Sequence, residues 1–118
     1  MIKTLVISTA FALLSNLAAA DNFKPVSTQA DFKKLIGNKT LTLGNAYVTI
    51  RKNGKLSGKA QGGDFKGRWI FQDGFFCRNL DNSNSFPTEN CQTVAVSGKK
   101  ARFVANRGKG TERIWDIK

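Results

Sequence analysis

Chemistry has few side chains to draw on in this sequence. There is no histidine, which removes Ser-His-Asp and Cys-His nucleophilic arrangements. Cys77 and Cys91 are the two cysteines, but they form no CxxC motif, and two sulfurs alone do not make a zinc site. Asp64 and Asp73 fall at strand ends and turns, where acids are common, rather than as a pair flanking a glycosidic bond. The stretch "RGKG" at 107–110 lacks the GxxxxGK[ST] spacing of a phosphate loop and precedes a strand, not a helix. The loop "DNSNSFPTEN" is rich in oxygen ligands but lacks EF-hand spacing and its glycine. The expectation is a protein that is not an enzyme and that uses no cofactor and no metal.

Positive charge, by contrast, is abundant. Lysine and arginine number 19 against 8 acids, for a formal net charge of +11. Such a surplus attracts anionic partners over about a Debye length. Lys66, Arg68, Arg78, Arg102 and Arg107 are the expected anion-binding contacts. The partner would be an anionic polymer such as lipopolysaccharide, a lipid headgroup, or an acidic protein. Aromatic and basic residues interleave at Phe65, Lys66, Arg68, Trp69, Phe76 and Arg78, as in single-strand binders. In a chain this short, however, most of the nine Phe and both Trp are needed for a core, so nucleic acid is not the expected partner. Two other functions fit: a small inhibitor of an exported hydrolase, probing with the loop Asn82 to Glu89, and a barrel holding a small apolar ligand. The second needs a cavity, which the aromatic content argues against.

The N-terminus predicts export. Lys3 forms a short basic region, "TLVISTAFALLSNLA" is apolar, and Ala18 to Ala20 supply small residues before Asp21. This is the pattern of a signal peptide over residues 1–20, cleaved after Ala20. The apolar run falls short of the ~20 residues that span a bilayer, so no transmembrane segment is expected in the mature form. Residues 21–118 then form a single β-rich domain, periplasmic or extracellular. An oxidising compartment makes a Cys77–Cys91 disulfide the default pairing, contributing about 3 kcal/mol by constraining the unfolded chain.

One helix is legible in "STQADFKKLIGNK": Ser27 or Thr28 caps it, Asp31 lies in its first turn, and Phe32, Leu35 and Ile36 share a face. Gly37 is expected to end it in the left-handed conformation. Everything after reads as short alternating strands: "KTLTL", "AYVTIR", "KLSGKAQ", "DFKGRWIFQ", "FFCRNL", "CQTVAVS", "ARFVANR" and "RIWDIK". This predicts a mainly β fold, an antiparallel meander of about seven or eight strands closing into a small barrel or strongly curved sheet. The helix would cover one open end.

Two hairpins can be read for register. Around "RKNGK", a three-residue loop, Lys52-Asn53-Gly54, sets Ile50 opposite Leu56 and Val48 opposite Gly58 on the buried face. Around "FQDGF", a three-residue loop, Gln72-Asp73-Gly74, sets Phe71 opposite Phe75, Trp69 opposite Cys77 on the core face, and Arg68 opposite Arg78. A two-residue loop would set Trp69 opposite Arg78, a cation–π pair. The three-residue register is the expected one, because it places the cysteine beside the tryptophan.

The run "DFKGRWIFQDGFFCRNL … ENCQTVAVSGKKARFVANRGKG" resembles a family of small exported bacterial proteins of unassigned function. Its pattern is carried here by Asn53, Gly54, Leu56, Gly58, Gly67, Trp69, Phe71, Asp73, Gly74, Phe76, Cys77, Arg78, Cys91, Gln92, Val94, Gly98, Arg102, Phe103, Arg107, Gly108 and Gly110. Phe71 stands where tryptophan is usual. Some members carry a dihydrodipicolinate reductase label, but no GxGxxG follows a strand here and no βαβ unit is visible. The resemblance implies the fold and export, and supplies no activity.

Overall fold

The computed structural model describes residues 22–81 and 89–118. The expected leader with its cleavage after Ala20, and the loop 82–88 with its calcium and inhibitor readings, lie outside the described residues. Among those described, the elements are β1 (Lys24–Val26), α1 (Gln29–Leu35), β2 (Lys39–Leu43), β3 (Ala46–Ile50), β4 (Lys55–Ala60), β5 (Gly63–Gln72), β6 (Phe75–Leu80), β7 (Glu89–Ser97), β8 (Lys100–Val104), a turn of helix α2 (Ala105–Gly108) and β9 (Glu112–Ile117). From β2 to β9 each strand pairs antiparallel with the next, and β9 returns to β2. This closes an eight-stranded up-and-down barrel, which removes the unpaired sheet edges of an open meander.

β1 lies outside that ring and was not legible in the sequence. The N-terminal half of β7 pairs with β6, while its C-terminal half, Val94 to Val96, pairs with β1. A three-residue strand has no room to display alternation, and Pro25 is tolerated because the strand is an edge.

Alternation decides what is inside. On β5, Phe65, Gly67, Trp69 and Phe71 face inward while Lys66, Arg68 and Ile70 face out. Inward Gly58 and Gly67 stand where the walls coil most tightly: a Cβ at either would overlap the backbone of the neighbouring strand.

α1 closes one end. The Thr28 hydroxyl accepts from the Asp31 N–H at 3.2 Å, and Phe32, fully buried, drops into the barrel. Its ring centroid lies 5.0 Å from those of Trp69 and Phe76 and 5.2 Å from that of Phe71. The left-handed residue that ends the helix is Asn38 (φ 63°), not Gly37. Gly37 is required for another reason: a Cβ there would meet the Lys33 carbonyl and the Lys52 stem. Asn38 tolerates the left-handed region because its short side chain bonds locally, and its Oδ1 accepts from the Lys52 N–H at 2.9 Å.

The β3–β4 hairpin has the expected register, Ile50 opposite Leu56 and Val48 opposite Gly58. The β5–β6 hairpin does not. Its loop is the two-residue Asp73-Gly74, with both φ angles positive (54° and 82°), as a type I′ turn demands. Phe71 faces Phe76, Trp69 faces Arg78, Ile70 faces Cys77, and Arg68 faces Asn79. Cys77 is therefore on the outer face, and Arg68 and Arg78 are not opposed. The shift turns Phe76 and Leu80 inward, where both are buried, and leaves Ile70 exposed; Cys77 is buried too, but on the outer face rather than beside Trp69. The strand expected over "ARFVANR" stops at Val104, because Asn106 and Arg107 both turn left-handed.

Candidate functional site: the open end of the barrel

The barrel interior is not filled to its second end. Above the ring cluster of Phe32, Trp69, Phe71, Phe76 and Phe103 lies a chamber of about 100 Å³, walled by Leu41, Val48, Ile50 and Leu56. It shares Phe65, Arg78, Gln92, Phe103 and Trp115 with a wider cavity of about 590 Å³ at the end opposite α1. That volume lies within the usual range for small-molecule sites. The expectation that the aromatic content leaves no cavity therefore fails at this end: five of the rings gather at the α1 end instead.

Four polar side chains line the wider cavity from three strands. Arg78 comes from β6, between inward Phe76 and Leu80. Asn90 and Gln92 come from β7, directly opposite Arg78 and Phe76. Arg113 comes from β9, opposite Phe103 and two residues before inward Trp115. No acid is among the described lining residues. Arg78 is half-buried, and desolvation holds its guanidinium below its ordinary value. Arginine remains a cation at neutral pH even so. The site thus joins an apolar floor to a cationic, amide-rich rim.

The mouth is held in shape from two sides. On the outer wall the Cys77–Cys91 disulfide joins β6 to β7, one residue from the facing pair Arg78 and Asn90. At the rim the Asn90 Oδ1 accepts from the Asn106 N–H at 3.2 Å. This ties the β8–β9 connection to β7, and its Ala105, Asn106, Gly110 and Thr111 contribute to the cavity lining.

The five cations expected to share an anion are not brought together. Lys66 and Arg68 project from the outer wall, opposite Ser57 and Lys55 respectively. Arg102 lies over the Phe23 ring at 4.7 Å, and Arg107 over the Phe75 ring at 5.0 Å. Arg78 alone enters the cavity. Arg113, Asn90 and Gln92 went unrecognised in the sequence. Their signal was present: counting back by twos from Trp115 and Val94 puts all three on the inner face.

Asp64 sits on the outer wall opposite Lys59, and Asp73 in the β5–β6 turn. Among the described residues no three His, Cys, Asp or Glu side chains are grouped to hold a metal ion, and no helix is long and apolar enough to cross a membrane. In comparisons with protein-family models, curated proteins and solved structures, this chain has no match.

Proposed function

We propose that this protein is a non-catalytic exported carrier that holds a small amphiphile, with the apolar chain in the barrel and the acidic head group against Arg78 and Arg113. The observation that carries this is the cavity of about 590 Å³ that is apolar at depth, cationic at its rim and free of acids among its described lining residues. Apolar burial drives entry of the chain. A half-buried arginine adds charge-assisted hydrogen bonds to a carboxylate or phosphate, and these gain strength away from bulk water. Asn90 and Gln92 add neutral donors for the remaining head-group oxygens. The leader-like N-terminus and the Cys77–Cys91 disulfide, which is compatible with an oxidising compartment, support export to the periplasm or the exterior.

The test is binding of lauric acid and of 1-dodecanol, two chains that differ in head group, followed by Trp115 fluorescence and calorimetry. Lauric acid is expected to bind and to raise the melting temperature. Dodecanol should bind at least about tenfold more weakly, since a charged hydrogen bond contributes about 1.5–3 kcal/mol. Arg78→Leu should erase that discrimination while the protein still melts cooperatively. Equal affinity for the two ligands, or no binding of either, would refute the proposal.

A further inference from the structure

The closed end carries a feature that the cavity does not use. The C-terminal turn of α1 is stitched to the β3–β4 turn: the Asn38 N–H donates to the Ile50 carbonyl at 2.7 Å, and the Lys52 N–H to Asn38 Oδ1 at 2.9 Å. Lys39 pairs with Ile50, beside Arg51, and the Arg51 N–H donates to the Lys55 carbonyl at 2.9 Å. These bonds place Lys33, Lys34, Lys39, Arg51, Lys52 and Lys55 on one continuous surface. Segments 32–40 and 50–56 contain no acid, and the one acid of α1 is Asp31 in its first turn. Two cations elsewhere on the wall do face acids: Lys59 lies opposite Asp64 across the strands, and Lys100 binds Asp116 at 2.7 Å.

We infer that this helix-capped end is a docking surface for an anionic lipid bilayer. Clusters of four to eight basic side chains bind anionic headgroups at about 1 kcal/mol per residue near the surface, and this end presents six. Its chemistry fits a bilayer better than nucleic acid. Five of the six are lysines, point charges on long stems, rather than the forks that grip phosphate and base edges. Single-strand binding needs exposed rings for stacking, and the one aromatic in these segments, Phe32, is fully buried as the plug. The large apolar side chain that α1 exposes is Leu35, at 36 %, placed between Lys34 and the buried Ile36. Docked this way, the barrel keeps its cavity on the side away from the membrane. The inference stands apart from the amphiphile proposal, since it draws on neither Arg78 nor the cavity.

The experiment is co-sedimentation with vesicles of phosphatidylcholine containing phosphatidylglycerol, beside vesicles of phosphatidylcholine alone. Binding is expected to the first and not the second, and should fall steeply as salt rises. The triple variant Lys33→Gln, Lys34→Gln, Lys52→Gln should weaken partitioning by roughly a hundredfold. A matched variant of the wall, Lys59→Gln, Lys66→Gln, Lys100→Gln, should retain most of it. Cooperative thermal melting of both variants, close to the parent's midpoint, shows that each is folded. Equal losses in the two variants, vesicle binding that ignores lipid charge, or retention by DNA without vesicle binding would overturn the inference.

Discussion

The two ends of this barrel are built from the same strands and yet are packed in opposite ways. At the α1 end, Phe32 lies among Trp69, Phe71, Phe76 and Phe103 with ring centroids 5.0–6.5 Å apart, and all five rings are buried. At the other end the same inner face continues as Arg78, Asn90, Gln92 and Arg113 around open volume. An eight-stranded barrel is just wide enough for side chains to fill or for one small ligand to occupy. A single helix, supplying a single plug, settles which of these happens at which end. Close packing is concentrated where the plug sits, and open volume where it does not.

That division predicts unequal costs for the same truncation. Phe32→Ala should destabilise by about 3–5 kcal/mol in urea unfolding, because it empties a close-packed site. Phe65→Ala, on the wall of the cavity, should cost about 1–2 kcal/mol, since the neighbouring space is already unfilled and part of the ring's burial is already lost. Equal costs would show that the open end is packed as tightly as the plugged one.

Removing the disulfide tests how the open end keeps its form. Cys77→Ala with Cys91→Ala should lower stability by about 3 kcal/mol, seen as a lower denaturation midpoint. Because the bond lies one residue from Arg78 and Asn90, the double variant should lose amphiphile affinity more than it loses vesicle binding. A double variant that keeps full affinity would show that the strands hold the rim without it.

The smallest effect belongs to the wall. The hydrogen bond from Lys100 and then its charge hold the Asp116 carboxyl below its ordinary value of 3.8. A carboxyl depressed in this way adds stability above its unfolded pKa and loses it as pH falls through the folded one. Asp116→Asn should therefore melt slightly lower than the parent at pH 7. The gap should close below about pH 3.8, and it should shrink with salt because both partners are exposed.

Much of the fold could be read from residue order. Alternation from "KTLTL" to "RIWDIK" signalled the strands, the three-residue loop Lys52-Asn53-Gly54 set the first hairpin, and the Thr28 cap with Phe32 on the apolar face marked the helix and its role as a lid. The second hairpin could not be read in this way. "FQDGFFC" offers apolar residues on both faces in either register, so local pattern left the choice balanced and an appealing Trp–Cys pairing tipped it the wrong way. The site was hidden for a related reason. Arg78 looked like one surface cation among many until the two-residue turn moved it inside.

The amino-acid sequence by itself determined the strand periodicity, the single helix, the cysteine pair and the surplus of positive charge, because each is a property of neighbours along the chain. Tertiary structure alone decided that β9 closes on β2, that Phe32 fills one end and not the other, and which cations face the interior. Those outcomes depend on contacts between residues far apart in sequence, where a one-residue change of register exchanges inside for outside along a whole strand.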